Sequence, residues 1–378
     1  MAANQNPLPS PPPAGPAGPA EPGRPLGERL VQVLSDNAIF AAMVVVVLAI
    51  AGYAWYEDLG SFLTLGNFKN VFIHNSTRLI VALGASFAIL TAGADLSAGK
   101  MVGISAVLSA SLLQSPEYLR LFYPELYKSW LWVHAPWATL AIAILAAVAV
   151  CALFGLLNGW IIAQFGVAPF IATLGAFAWI YGVNGLYFDM EPNNSQPIGG
   201  LRDDFTALGT GAFDIRLFGH DIVSLPYIVL IALAVAVFMW VLMNKTTFGK
   251  NVYAIGGNVN AAQVSGINVF ATTIVMYTIA GALYGLGGVL EASRTGGATN
   301  NYGTSYELDA IAACVVGGVS VTGGIGTVPG IVVGVLIFGV INYGLTFIGA
   351  NPYIQLILKG VIIVSAVAFD VRKYVAKK

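Results

Sequence analysis

The sequence predicts an all-α protein that crosses a membrane about ten times, and three observations support this class. Of the 378 residues, 57 % are hydrophobic and only 9 % are charged, whereas a soluble domain carries about 25 % charged residues. The apolar residues form long runs near the ~20 residues that one helix needs to cross a bilayer, unlike the short alternating segments of a membrane β-barrel. The charges fall mostly between these runs. The composition excludes a soluble enzyme, a disordered protein and a nucleic-acid-binding protein.

The charge-free runs define ten candidate spans. The first seven lie at Ile39–Trp55, Leu79–Ala94, Met101–Leu113, Ala135–Ala163, Phe165–Phe188, Ile222–Met243 and Val269–Leu290. The next uncharged run, Ala310–Leu358, has 49 residues, which is too long for one helix, and glycine and proline divide it. We expect spans ending near Gly318, at Val328–Phe347 and at Tyr353–Phe369.

The distribution of basic residues predicts the orientation of the spans. Two arginines precede the first span, two lysines lie in the acid-free loop 244–268, and four basic residues lie in the C-terminal tail. The loop 189–221 instead holds six acids against two arginines. We therefore expect both termini and the loop 244–268 in the cytoplasm and the acidic loop 189–221 on the outer side of the membrane.

The chain divides into an N-terminal tail and one membrane domain. Residues 1–30 contain nine of the eighteen prolines and too few apolar side chains to build a core, so we expect a disordered, partly polyproline tail in the cytoplasm. Residues 31–378 form the predicted transmembrane domain.

Two glycine-rich segments interrupt the apolar runs. They lie at Gly93–Gly99 and at Gly317–Gly324. Interrupted segments in corresponding places of two halves are typical of transporters built from an internal repeat, which makes such a repeat a candidate here. Other glycines inside the spans, such as Gly281 and Gly285, are expected to let helices pack closely.

Several kinds of site are absent from the sequence. There is no GxxxxGK[ST] loop for ATP, no GxSxG nucleophile and no HExxH or Cys/His cluster for a metal. We therefore expect neither an enzyme nor a protein with a cofactor of its own.

Five ionisable residues are predicted inside or at the edge of the membrane, where a charge costs several kcal/mol. Asp95 and Lys100 flank the first interruption, where Asp95 could also cap the helix that follows. Glu307 and Asp309 suit the dipole at a helix N-terminus. Lys359 lies inside the last span and needs a partner, for which Asp95 and Asp309 are the candidates.

The polar loop 244–268 is too hydrophilic to insert into a membrane. Asn258 or Asn260 can cap a short helix that contains Ala261 and Ala262 and that Gly266 ends. Such a helix would offer a docking point for a cytoplasmic partner, although a plain connecting loop fits the residues as well.

Several motifs resemble the ribose/xylose/galactose permeases of bacterial ABC importers. Ala261-Ala262 followed by Gly266 is similar to the EAA motif of importer permeases, with Asn260 in place of the usual acid. The more specific stretches are GADLSAG at 93–99, GVAPFIATLG at 166–175, TFGKNVYAIGGN at 247–258 and YELDAIAACVVGGVSVTGG at 306–324. A further stretch, VINYGLTFIGANPY at 340–353, looks most like the galactose/methyl-galactoside branch. The resemblance covers residues from about 38 to the end.

The resemblance implies a multi-pass subunit of a bacterial inner membrane, with the loop 189–221 in the periplasm. This subunit would import a monosaccharide by alternating access, and the galactose/methyl-galactoside branch implies galactose or methyl galactoside. It implies a homodimer, a cytoplasmic ATPase that binds the ATP and Mg²⁺, and a periplasmic sugar-binding protein. The residues implied in docking the ATPase are Phe248, Gly249, Asn260, Ala261, Ala262 and Gly266.

An uncharged sugar needs few ionisable groups along its path. The candidates for lining or gating that path include the polar residues beside the helix breaks, which are Ser97, Asn158, Thr173, Ser320 and Thr322. Four ionisable residues are further candidates: Asp95, Glu307, Asp309 and Lys359. Each of these polar side chains could instead satisfy a neighbouring backbone group. An ion-coupled secondary transporter and a permease for ribose or xylose are the alternative functions.

Overall fold

The computed structural model describes residues 38–129, 134–191, 193–217 and 220–375, and helices dominate it. The helices are α1 (Ala38–Tyr56), α2 (Leu65–Leu90), α3 (Ala98–Leu112), α4 (Pro116–Phe122), α5 (Pro124–Tyr127), α6 (Pro136–Phe165), α7 (Pro169–Asp189), α8 (Asp203–Thr210), α9 (Tyr227–Lys245), α10 (Thr247–Gly257), α11 (Val259–Val264), α12 (Val269–Thr295), α13 (Tyr306–Val316), α14 (Val328–Phe347) and α15 (Pro352–Val375). Two strands, β1 (Ala212–Leu217) and β2 (His220–Pro226), lie between α8 and α9. The predicted tail 1–30 lies outside the described residues.

Each of the ten predicted spans contains a helix, but they differ in length. Six helices of the described chain (α2, α6, α7, α9, α12 and α14) are long and apolar enough to cross a membrane. Shorter apolar helices lie at Val47–Tyr56, Ala98–Leu112 and Pro352–Ser365. With 15 and 11 residues, α3 and α13 reach about 22 Å and 16 Å, less than the ~30 Å hydrocarbon core.

The two shortest of these helices, α3 and α13, are each joined to a long helix through a break. We call residues 91–97 the first break, between α2 and α3, and residues 317–327 the second break, between α13 and α14. Both coincide with the glycine-rich interruptions predicted from the sequence. Three glycines of the second break adopt positive φ angles, Gly318, Gly323 and Gly324, which other residues rarely adopt.

Helices α2 and α12 continue through charges at which the sequence predicted the spans to stop. Helix α2 begins at Leu65 rather than Leu79 and includes Arg78, and α12 continues past Leu290 to include Glu291. The charge-free criterion was wrong at these two ends because the charged side chains pair with one another inside the bundle, as described below.

The predicted helical fold is confirmed for the described chain, except for a short β-hairpin between α8 and α9 that the sequence did not indicate. Strands β1 and β2 pair antiparallel, with Ala212 opposite Pro226 and Phe213 opposite Leu225. The predicted span from Ile222 therefore begins later, at Tyr227, immediately after Pro226. Proline can precede the first turn of a helix without loss because the N–H groups there have no partner within the helix.

Helix α12 lies at the centre of the bundle and packs on α2, α3 and α6 through glycines. A Cβ atom added to Gly281 would overlap the carbonyl oxygen of Cys151 on α6, and one added to Gly288 would overlap that of Val102 on α3. These contacts confirm that the glycines allow close helix packing. The two cysteines, Cys151 and Cys314, are free and buried, as small core residues.

The two polar loops lie at opposite ends of α2. Near Leu65, the hydroxyl of Ser224 on β2 accepts a hydrogen bond from Lys69 at 3.1 Å. At the other end, Leu90 contacts Gly256 of α10. We call these the hairpin end and the α10 end of the bundle.

The packing of α12 on α6 gives a first prediction. The change Gly281→Ala places a methyl group on the α6 backbone, so the melting temperature of the detergent-solubilised protein should fall, by an amount that corresponds to about 1–3 kcal/mol. The matched control is Gly52→Ala on α1, where an added Cβ meets nothing within 4 Å. There the melting temperature should hold or rise, because alanine favours a helix by up to ~1 kcal/mol over glycine. Equal shifts in both variants would contradict the close approach of α6 and α12.

Candidate functional site

A buried hydrogen-bond network closes the first break around Asp95. Its Oδ1 accepts from the backbone N–H of Ser97 at 2.9 Å and from the Ser97 hydroxyl at 2.6 Å. Tyr284 of α12 donates its hydroxyl to Oδ2 at 3.1 Å, and Asn158 of α6 donates to Ser97 Oγ at 3.0 Å. All four side chains are buried. Asp95 therefore stabilises the turn that leads into α3.

Thr173 of α7 covers the backbone of the same break. Its hydroxyl donates to the carbonyl oxygen of Ala94 at 3.1 Å and accepts from the backbone N–H of Leu96 at 3.2 Å. The side chain is fully buried. The structure thus brings together four predicted pathway residues, Asp95, Ser97, Asn158 and Thr173, and each one makes hydrogen bonds within or onto the first break.

The second break is held by short-range hydrogen bonds among its own residues. The hydroxyls of Ser320 and Thr322 lie 2.9 Å apart, and the Ser320 N–H donates to the Ile325 carbonyl oxygen at 2.9 Å. The Gly324 N–H donates to the carbonyl oxygen of Leu90, the last residue of α2, at 2.8 Å. This last bond joins the two breaks at the α10 end.

Asp309 and Lys359 lie elsewhere, in a buried ion cluster that joins three helices. Lys359 Nζ of α15 lies 2.8 Å from Oδ1 of Asp309 on α13. Arg78 Nε of α2 lies 3.3 Å from Oδ2 of the same carboxylate, whose side chain is only 4 % exposed. Of the two candidate partners for Lys359, the structure therefore shows Asp309. Arg78 pairs with the same carboxylate.

A second ion pair, between Glu291 and Arg294 of α12, extends this cluster. Arg294 Nη2 lies 2.6 Å from Glu291 Oε1, and Thr77 of α2 donates its hydroxyl to Oε2 at 2.9 Å. The guanidinium of Arg294 also lies 3.2 Å from His74 Nδ1. The cluster thus contains three cations (Arg78, Arg294, Lys359) and two acids.

Glu307 and Lys100 lie together where the N-terminal ends of α3 and α13 meet. Lys100 Nζ lies over the rings of Tyr181 and Phe177, at 4.4 Å and 4.9 Å from their centroids, a favourable cation–π geometry. Glu307 is buried in the first turn of α13, and a Cβ added to Gly99 would overlap its carboxylate. Both acids predicted at the start of this helix occupy its first turn.

A short helix is present in the polar loop, as the docking interpretation requires. Asn258 caps α11, and its side chain accepts from the Ala261 N–H at 3.0 Å. Ala262 is buried, while Asn260 and Ala261 are exposed. Gly266 lies just beyond the helix with a φ of +84°, and its N–H donates to the carbonyl of Gln263.

The other two predicted coupling residues lie on α10, which precedes α11. The ring of Phe248 packs edge-on against Phe87 of α2, with 5.9 Å between the centroids. A Cβ added to Gly249 would overlap the carbonyl oxygen of Met243 on α9. These two residues therefore fix α10 to the bundle, while Asn260 and Ala261 of α11 are exposed.

The sequence reasoning missed four residues that the structure places in these networks. Tyr284 lies within an apolar run, whereas Arg78, Glu291 and Arg294 lie just outside the ends of predicted spans. One signal could have found the last pair: Glu291 and Arg294 have the i, i+3 spacing that brings opposite charges together on a helix. Tyr284 carries no such local signal.

The fold and these networks define a multi-pass helical membrane protein with interrupted helices, an arrangement typical of transport proteins. Within the described ranges, no group of three or more His, Cys, Asp or Glu residues could hold a metal ion. The predicted pathway residues do not form one lumen: they divide between the two breaks, the ion cluster and the Glu307 region.

Comparisons with known proteins agree with this class. A family model described as the permease component of a branched-chain amino acid transport system matches residues 67–367. The galactose/methyl galactoside import permease protein of Haemophilus influenzae is 48 % identical over 91 % of this chain and 96 % of its own length. Its counterpart from Escherichia coli is 48 % identical over 88 % and 94 %, respectively. The ribose import permease protein of Bacillus subtilis is 35 % identical over 83 % and 87 %. No solved structure matches the chain.

The chain therefore belongs to this family of bacterial import permeases. It is a permease subunit of an ABC importer and is not itself an enzyme. This assignment confirms the resemblance found in the sequence and decides against an ion-coupled secondary transporter.

The ion cluster gives a second prediction. The change Asp309→Asn leaves Arg78 and Lys359 buried without their carboxylate, which should destabilise the protein by about 3–5 kcal/mol. Lys359→Met should destabilise the protein less, because Asp309 still pairs with Arg78. The melting temperature in detergent measures both effects. The control is Lys128→Met, which breaks the exposed pair of Lys128 with Glu125, worth only about 0–1 kcal/mol. If Asp309→Asn lowered the melting temperature no more than Lys128→Met does, the shared ion cluster would be contradicted.

The Asp95 network gives a third prediction. In Asp95→Asn the retained oxygen still accepts from Ser97, and the Tyr284 hydroxyl can turn to accept from the new amide. Sugar uptake should therefore stay within about threefold of wild type, because both Ser97 donors keep their acceptor and Tyr284 keeps one hydrogen bond to residue 95. Asp95→Ala leaves donors of Ser97 and Tyr284 unpaired, at about 1–3 kcal/mol each, and should abolish uptake. Loss of uptake in Asp95→Asn at normal protein level would instead indicate that the carboxylate is required.

Proposed function

We propose that this chain is the membrane-spanning subunit of an ATP-driven importer for galactose and methyl galactosides. The single observation that carries the substrate is the 48 % identity to two permeases of that printed specificity over about nine tenths of the chain. The ribose permease is less similar, at 35 %. Ribose and xylose are therefore the second choice of substrate.

We propose that the α10 end faces the cytoplasm and binds the ATPase through α11. The support is the exposure of apolar side chains at this end: Val264 is 91 % exposed and Val259 is 43 % exposed. A partner bound on this short helix would cover both of these apolar side chains. The basic residues of the loop 244–268 support the same orientation. The hairpin end then faces the periplasm and receives the sugar-binding protein, and ten crossings place both termini in the cytoplasm.

The path for the sugar is proposed to lie between two copies of the chain. Within one copy, the predicted pathway residues Asp95, Ser97, Asn158 and Thr173 are buried and make hydrogen bonds to one another or to the backbone of the first break. The exposed apolar faces of α6, α7 and α9 leave room for both lipid and a second copy. A homodimer would let each copy contribute one wall of the path.

Transport would follow from alternating access. Closure of the ATPase on ATP would displace α11, the helices beside the breaks would shift against one another, and the path would open to the binding protein. Because the sugar is neutral, it needs no counter-ion along the path. The role of the permease residues is to provide two packing arrangements of the bundle, with ATP and Mg²⁺ bound by the partner.

The test is reconstitution into proteoliposomes with the cognate ATPase and binding protein, followed by uptake of labelled galactose. We expect ATP-dependent uptake that unlabelled methyl galactoside reduces and that unlabelled ribose does not. Uptake competed by ribose alone would overturn the sugar assignment and leave the family assignment intact.

The docking surface gives a fourth prediction. The change Ala261→Arg places a charge on the exposed face of α11, so the affinity for the ATPase should fall at least ~tenfold, corresponding to about 1.4 kcal/mol. Binding of the purified ATPase measures the effect, and the melting temperature should not change. The control is Thr210→Arg, an exposed position at the hairpin end. Normal ATPase binding by Ala261→Arg would argue against α11 as the docking helix.

A further inference from the structure

Helix α10 meets the end of α2, next to the first break, and the second break itself at one glycine. A Cβ added to Gly256 would overlap the carbonyl oxygen of Leu90, where α2 ends, and would lie 2.6 Å from the backbone nitrogen of Gly324 in the second break. At this point three separate segments meet backbone to backbone. No side chain intervenes that could absorb a displacement of one segment by changing its rotamer.

The same three segments are tied to one another directly. The Gly324 N–H donates to the Leu90 carbonyl oxygen at 2.8 Å. A Cβ added to Gly323 would lie 3.0 Å from the backbone nitrogen of Ala92, the second residue of the first break. We call the contact among Leu90, Gly256 and Gly324 the break joint.

Tyr253 provides a second link between α10 and the second break, one turn before Gly256. Its hydroxyl donates to the carbonyl oxygen of Gly326 at 2.9 Å. A tyrosine hydroxyl is protonated at neutral pH and can donate, and burial raises the pKa of Tyr253 further. Asn258, which caps α11, follows Gly256 by only two residues, so α10 and α11 are nearly continuous.

We propose that the break joint, together with Tyr253, transmits a displacement of α11 to both helix breaks at once. The inference rests on the proposed function, in which the ATPase docks on α11. The physical reason is that packed backbone cannot be compressed, so a shift of α10 must carry along the end of α2 and the start of α14. Gly256 and Tyr253 are therefore positioning residues for transport rather than contacts for the ATPase or the sugar.

The experiment compares Gly256→Ala with Gly257→Ala, a control in the next residue where an added Cβ meets nothing within 4 Å. Both variants are assembled with the ATPase, and two activities are measured. One is basal ATP hydrolysis, and the other is hydrolysis stimulated by the sugar-loaded binding protein. We expect Gly257→Ala to match wild type in both. Gly256→Ala should bind the ATPase and keep its basal rate, but lose stimulation and galactose uptake about tenfold, within the range for residues that carry coupling.

Tyr253→Phe is the second variant, because it removes one hydrogen bond without adding an atom and should fold even if Gly256→Ala does not. It should lower stimulation and uptake by about threefold at an unchanged basal rate, consistent with one lost hydrogen bond. Normal stimulation in Tyr253→Phe, or in a folded Gly256→Ala, would overturn the proposal.

A structural readout separates this proposal from the function on which it rests. Hydrogen exchange is measured in residues 91–97 and 317–327 with and without the ATP-bound ATPase. In wild type and Gly257→Ala, both segments should change together, whereas in Tyr253→Phe the second break should respond less than the first. If hydrogen exchange in the wild type changed in only one of the two breaks, the proposal that the break joint couples them would be overturned. A wild-type complex that takes up no galactose but changes exchange in both breaks would refute only the proposed substrate.

Discussion

The structure depends on one constraint: where a helix breaks inside a membrane protein, the freed backbone groups must find partners within the bundle. Two helices break here, and the protein meets the constraint in two ways. At the first break, side chains from neighbouring helices supply the partners, among them Thr173 for Ala94 and Leu96. At the second break, the chain bonds to itself and to Leu90. The small polar residues and glycines of both segments follow from this requirement.

Charged groups meet the same constraint in a different part of the bundle. Asp309 serves two cations from different helices, Arg78 and Lys359, and Glu291 serves Arg294 beside them. Removing either acid would leave a buried cation without its carboxylate, so the cluster is expensive to rearrange. It therefore fixes α2, α12, α13 and α15 relative to one another. The second break, held by hydrogen bonds among backbone groups and hydroxyls, can exchange partners at lower cost.

Features set by local chemistry were predictable from the sequence. The bounds of α14, the cap of α11 at Asn258 or Asn260 and the two breaks follow from apolar runs, capping residues and glycine. Features set by long-range contacts were not. The start of α2 was misplaced because Arg78 gains its acid from a residue 231 positions away, and the role of Tyr284 depends on Asp95, 189 positions away. Neither distance can be read from spacing along the chain. Lys359 lies between these cases, since its need for a partner was predictable and the choice of Asp309 was not.

The location of the break joint explains why glycine, rather than a bulkier residue, is needed in α10. A side chain at Gly256 would separate α10 from Leu90 and Gly324, and a flexible contact would then replace a rigid one. In the proposed transport cycle, energy is released on the ATPase and must reach helices that the ATPase does not touch. A displacement of one or two ångströms survives transmission only through atoms already in van der Waals contact. The ion cluster holds the same helices farther along α2, so movement at the α10 end would turn them about that fixed region instead of shifting them as a whole.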